Sequence, residues 1–114
     1  MQFETTTVLP VALPLRGRSV LVLGGTEEAV AKVPTLIASG ARVTLVAPSV
    51  DASLASLARR RALDWYARDF LDHDVQGVHL VMLTEQDPVL ARRLRGLPGK
   101  FWLCAIDQPD VSDI

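Results

Sequence analysis

Val20-Leu21-Val22-Leu23-Gly24-Gly25-Thr26-Glu27-Glu28-Ala29 decides the fold. Four apolar residues run into two glycines, and a helical pattern begins directly after them. An unbroken apolar run suits a strand covered on both faces, as in a parallel sheet between helix layers. Glycines at its carboxyl end let the chain turn sharply and let a ligand approach the backbone. A helix opening there aims free N–H groups and the positive end of its dipole at the turn, which suits a phosphate. The dinucleotide-binding spacing G-x-G-x-x-G/A puts Gly24, Thr26 and Ala29 at its key positions, so threonine stands where the middle glycine is usual.

Working outward, strands and helices alternate. Strands are expected at residues 19–23, 42–46, 63–67, 78–83 and 101–106, and helices at 27–39, 53–61 and 88–95. In the first helix Ala29, Val33, Leu36 and Ile37 share a face. Gly40 ends it in a left-handed conformation, and Pro34 kinks it. Leu54, Leu57 and Ala58 point inward from the second helix, and Pro88 suits the first position of the third. Residues 69–77 read as a polar loop or a single helical turn anchored by Phe70, Leu71 and Val75. Before the first strand, 1–7 is polar and loose, and 9–15 is an extended lead-in because it carries Pro10 and Pro14.

This alternation specifies right-handed βαβ units in an α/β, Rossmann-like, doubly wound parallel sheet. The expected order is 3-2-1-4-5, with helices on both faces in a three-layer α/β/α arrangement. A chain of 114 residues makes one such domain. Ligands bind these sheets at the carboxyl ends of the strands. That edge collects residues 24–28, 47–49, 84–87 and Asp107.

Composition excludes several classes of function. Twelve basic residues against thirteen acidic give no excess for nucleic acid or an anionic membrane. Clusters at Arg59, Arg60, Arg61 and at Arg92, Arg93, Arg95 read as solvated helix ends. No apolar run is long enough for a membrane helix, and the N-terminus lacks the pattern of a signal peptide. Cys104 is the single cysteine, so no internal disulfide forms and a cytoplasmic setting is expected. It reads as a buried, inert thiol. His73 and His79 have no ligand spacing with Cys104, so no metal site is expected; His79 reads as a strand residue and His73 as a loop residue.

Separated motifs match one family in order. They are Leu9-Pro10, Leu15-Arg16-Gly17-Arg18, Val22-Leu23-Gly24-Gly25, Lys32, Gly40-Ala41-Arg42-Val43-Thr44, Val46-Ala47-Pro48, Leu80-Val81 with Thr84, and Ile106-Asp107-Gln108-Pro109. This set resembles the N-terminal domain of siroheme synthase and the stand-alone precorrin-2 dehydrogenases. The resemblance implies NAD-dependent oxidation of precorrin-2, a tetrapyrrole, to sirohydrochlorin, with ferrous iron inserted afterwards by many members. It implies a cofactor lying over Gly24, Gly25, Thr26, Glu27 and Glu28, with Pro48, Ser49 and Thr84 beside it. It implies an acid/base role for Asp107. It also implies a homodimer whose substrate cleft forms between subunits, with a dimerisation region and a small helical domain following the position of Ile114. By residue type alone, Asp107 reads equally as a turn residue before Pro109.

The chain departs from the family pattern at several places. The Thr26 side chain intrudes where backbone meets a pyrophosphate, although its hydroxyl could cap the helix instead. Glu27 and Glu28 favour a helix N-terminus yet compete with an anionic phosphate. Val30-Ala31 replaces two basic residues, Leu83 and Glu85 flank Thr84, and Cys104 replaces an asparagine. These departures keep a rival open: a non-catalytic relative with weakened dinucleotide binding that serves as an interaction or regulatory module. A different Rossmann dehydrogenase is a third reading. Ala47-Pro48-Ser49 weighs against it, since no acidic residue ends the second strand to receive a ribose.

Overall fold

The computed structural model describes residues 12–114. The loose start expected at 1–7 and the first part of the lead-in lie outside them. Residues 12–15 form neither helix nor strand.

Five parallel strands form one sheet: β1 (Ser19–Leu23), β2 (Arg42–Val46), β3 (Asp64–Tyr66), β4 (Leu80–Leu83) and β5 (Trp102–Ala105), in the order β3-β2-β1-β4-β5. The helices are α1 (Glu27–Ala38), α2 (Ala52–Arg59) and α3 (Pro88–Gly96), with a 3-10 turn at Asp72–Val75. The expected order therefore holds. β1 is central because both its neighbours pair with it, Val22 opposite Leu45 on one side and Met82 on the other.

Alternation along the strands makes two cores. Val20 and Val22 face α1 and α2 with Ala29, Val33, Leu36 and Leu54. Leu21 and Leu23 face α3 and the 3-10 turn with Phe70, Val75, Ala91 and Leu94. Burial on both faces is why β1 contains no polar residue after Ser19. Leu71 does not anchor this layer as expected: it is 44% exposed, and its N–H instead donates to Asp74 Oδ2 at 2.8 Å.

α1 runs unbroken through Pro34, which lies on its solvent face. There, water can reach the Val30 carbonyl that a proline cannot satisfy. The helix ends in a Schellman arrangement. Gly40, at φ +84°, donates to Ile37 O at 2.9 Å, and Ala41 N–H donates to Leu36 O at 3.2 Å. β4 begins at Leu80, later than expected, and leaves His79 in the preceding turn rather than in the strand.

β5 is an edge strand, and its outer side is covered by the chain that follows. Asp113 Oδ2 accepts from Leu103 N–H at 2.7 Å, and Ser112 Oγ accepts from Ala105 N–H at 3.0 Å. Arg95 ties the same segment to α3 through Val111 O and the Asp113 carboxylate. No described helix is long and apolar enough to cross a membrane.

Candidate functional site

The glycine turn is shaped by what packs against it. Gly24 has φ +107°, and a Cβ there would collide with Thr84 Oγ1 and the Glu85 side chain. Gly25 is buried, and a Cβ there would meet the Ser49 carbonyl and Val50. Asp51 N–H donates to Gly25 O at 2.8 Å, which holds the β2–α2 loop down on the turn. The glycines therefore differ in role. Gly24 opens on the cleft, whereas Gly25 makes room for the neighbouring loop.

Thr84 also serves the turn from behind. It is 3% exposed, and both its N–H (2.9 Å) and its hydroxyl (2.7 Å) donate to Leu23 O. Its hydroxyl is thus committed to β1.

Thr26 is the N-cap of α1, yet its hydroxyl makes no capping hydrogen bond. The first turn of α1 keeps its N–H groups without a side-chain acceptor, as an anion site requires. Glu27 and Glu28 are exposed in that turn and lie outside the cleft lining.

A cleft of about 230 Å³ opens at this edge, and Gly24, Thr26, Pro48, Ser49, Phe70 and Glu85 are among the residues that line it. Trp65 braces its β2 wall, the indole N–H donating to Ala47 O at 2.9 Å. Besides the strand ends Leu23, Val46 and Leu83, four lining residues were not legible as site residues: Arg68, Asp69, Phe70 and Leu90. The signal for three of them was present, because residues leaving β3 must reach the same edge in an order that starts with β3.

The charge of the cleft is lopsided. Asp69, Glu85 and Asp87 line it, with Arg68 as the one cation among its lining residues. Arg68 is engaged elsewhere. It donates to both Asp74 oxygens at 2.8 Å and lies 5.4 Å from the Tyr66 ring centroid. The hydrogen bond from Arg68, and then that from Leu71 N–H, hold the Asp74 carboxyl below its ordinary value. Hydrogen bonds from the Ser53 backbone and hydroxyl do the same for Asp51. Asp87 accepts from Leu90 N–H at 3.0 Å and so caps α3.

Asp107 lies beyond the cleft lining, after β5. It is exposed, has φ +54°, and accepts from Gln86 Nε2 at 3.2 Å. Aspartate tolerates this left-handed conformation better than most residues. Gln86 and Asp107 thus join the two loops that leave β4 and β5. Cys104 is half-buried, and burial pushes its thiol up, away from the reactive thiolate. Among the described residues no three His, Cys, Asp or Glu side chains group where a metal ion could sit.

A parallel sheet, a glycine turn and a free helix N-terminus at the carboxyl edge define a Rossmann-type dinucleotide-binding domain. Comparison with known proteins agrees. A family model for NAD(P)-binding domains matches residues 11–114. Siroheme synthase 1 of Klebsiella pneumoniae is 41% identical over 86 residues, covering 75% of this chain and 18% of that protein. Siroheme synthase of Pseudomonas entomophila is 39% identical over 115 residues, covering 92% and 25%. The solved structure of SirC, a precorrin-2 dehydrogenase, superposes with a TM-score of 0.76 at 25% identity, covering 84% of this chain and 48% of that one. This chain belongs to the NAD(P)-binding domain family of siroheme synthases and precorrin-2 dehydrogenases. It spans about a fifth to a quarter of the siroheme synthases it matches.

Proposed function

We propose that this domain binds NAD and takes part in the oxidation of precorrin-2 to sirohydrochlorin. The observation that carries this reading is the Gly24 turn. Gly24 and Thr26, the N-cap of α1, line the cleft beside Pro48 and Ser49, and no hydrogen bond from the Thr26 side chain caps the helix there. A pyrophosphate in the cleft would meet the turn at Gly24 and Thr26, and the α1 N-terminus would offset its charge. NAD suits the cleft better than NADP, because Arg68 is held by Asp74 and no other cation lines the cleft to receive a 2′-phosphate. When bound, the nicotinamide supplies the hydride acceptor. The chain's share is to orient the ring and to take a proton. Asp107 is exposed at the adjoining loop, with Gln86 holding one oxygen and leaving the other free to accept.

Substrate and partners belong to the same proposal. A tetrapyrrole polycarboxylate needs cations that the cleft does not present, which favours a homodimer in which a second subunit completes the substrate site. Ferrous iron would be a further substrate, and the cytoplasm is the setting we infer. Calorimetric titration with NAD, followed by an assay of precorrin-2 oxidation, tests the reading. Micromolar binding with turnover supports it, and turnover absent in the presence of saturating NAD removes it.

The acidic lining and the Thr26 side chain in the cleft favour a second reading, a relative that keeps the fold with weakened dinucleotide binding. Millimolar or absent NAD binding would select it.

A further inference from the structure

A net charge of −1 conceals a segregation of charge between the two edges of the sheet. Loops that leave the strands carry Asp51, Asp69, Glu85, Asp87 and Asp107, with Arg68 as a cation beside them, and Glu27 opens α1 at the same edge. Residues at the entries to the strands include Arg16, Arg18, Arg42, Arg60, Arg61 and Lys100, with Asp64, the first residue of β3, as the acid among them. Helix dipoles explain the sense of this arrangement, since helix N-termini lie at the first edge and C-termini at the second.

At the cationic edge, opposite the cofactor cleft, a cavity of about 270 Å³ opens between the entries to β1, β4 and β5. Arg18, His79 and Lys100 line it, with Trp102 and with Leu15 and Leu80 as apolar floor. No acidic residue lines it, and none of its three basic side chains is in an ion pair among the described residues. Trp102 is 55% exposed. It lies on the α1 and α2 side of the sheet, opposite Leu80 in the β4–β5 register, where α1 and α2 do not cover β5. The backbone under these side chains is fixed. Trp102 N–H donates to His79 O, and His79 N–H to Ser19 O, each at 2.9 Å.

We propose that this cavity binds a flat conjugated anion. The indole face offers a stacking surface beside apolar walls, and the neighbouring cations meet carboxylates or phosphates at the rim. The tetrapyrrole polycarboxylate of the proposed reaction has this chemistry, and the choice of that ligand rests on that reading. The sheet separates the cavity from the cofactor cleft, so it is a docking site and no hydride passes there.

Uroporphyrin, a flat tetrapyrrole polycarboxylate, is the probe, with quenching of tryptophan fluorescence as the readout and ADP as the second arm. Wild type is expected to bind uroporphyrin more tightly than ADP, with affinity falling as salt rises. The double variant Arg18→Glu, Lys100→Glu is expected to bind uroporphyrin at least about tenfold more weakly, the loss of two charge contacts. Trp102→Ala is expected to weaken it as well. Both residues of the double variant are exposed, so folding is retained, which circular dichroism checks. NAD affinity should stay at the wild-type value in every variant. Equal uroporphyrin affinity in wild type and the double variant would overturn the site, and ADP binding that is lost in the double variant, with no uroporphyrin binding in wild type, would overturn the tetrapyrrole assignment. Uroporphyrin binding that depends on Arg18 and Lys100, in a protein that neither binds NAD nor oxidises precorrin-2, would uphold the site while the proposed function fails.

Discussion

The Thr84 hydroxyl donates to the Leu23 carbonyl at 2.7 Å, and its oxygen stands where a side chain on Gly24 would have to go. Strand pairing and turn shape are therefore one feature. The contact that joins β4 to β1 also enforces glycine at the mouth of the cleft.

Gly24→Ala should be costly in two ways. A positive φ costs an L-residue about 1–2 kcal/mol, and the new Cβ strikes Thr84. We expect a loss of stability of at least about 2 kcal/mol in urea denaturation, with NAD binding abolished. Thr84→Val keeps the volume and removes only the hydroxyl bond. It should cost about 1 kcal/mol, because Thr84 N–H still donates to Leu23 O.

Thr26→Gly tests the cofactor reading directly. The Thr26 hydroxyl caps nothing, so its loss removes bulk without removing a hydrogen bond. NAD affinity by calorimetry should tighten about tenfold, equivalent to about 1.4 kcal/mol. Unchanged affinity would show that the side chain is no obstacle.

Asp107→Asn retains a residue that tolerates φ +54° and removes the proposed proton acceptor. Turnover of precorrin-2 should fall by about 10²-fold or more while NAD affinity holds. An equal fall in both would make Asp107 a structural residue of the turn.

The Arg68–Asp74 pair gives a dependence on pH. Arg68 foremost holds the Asp74 carboxyl below its ordinary value. A carboxyl held lower in the folded chain stabilises fully above its unfolded value, about 4. That contribution is lost as pH falls through the lower folded value. Wild type should therefore lose urea resistance on acidification through this range. Asp74→Asn should begin less stable at pH 7 and decline more gently. An acid decline as steep as that of wild type would assign the effect to other carboxylates.

Pro34→Ala should stabilise the domain. It restores a donor for the Val30 carbonyl, and proline in a helix interior costs about 3 kcal/mol against alanine. Proline also stiffens the unfolded chain, which offsets up to about 1 kcal/mol. A net gain of about 1–2 kcal/mol in thermal or urea unfolding is expected, and a loss would mean that the helix has adapted to proline.

The strands and their order were legible because β1 and β4 are apolar on both faces and the helices fall between them. Boundaries moved where local pattern and pairing disagree. His79 sits in a turn because pairing with β1 starts at Leu80, opposite Val20. Pro34 looked like a kink because spacing does not reveal that it faces solvent. At the site, Gly24, Thr26, Pro48 and Ser49 were legible from the turn motif and the strand ends. Two roles were not. The division of labour between Gly24 and Gly25, and the placement of Thr84 behind the turn, depend on contacts between β1, β2 and β4 that no local spacing encodes. The pairing of Arg68 with Asp74, and so the lack of a free cation in the cleft, is likewise tertiary.

Asp113 and Ser112 lend carboxylate and hydroxyl oxygens to the outward N–H groups of β5. A bare strand border is a template on which foreign backbone can grow, and a row of unmet donors is what invites it. Here the donors of Leu103 and Ala105 are met by side chains that cannot themselves extend a ladder. The sheet consequently ends in a chemical full stop. Replacing both with alanine would leave those two donors unmet, while the backbone N–H of residue 113 could still hold the segment to Leu103 O.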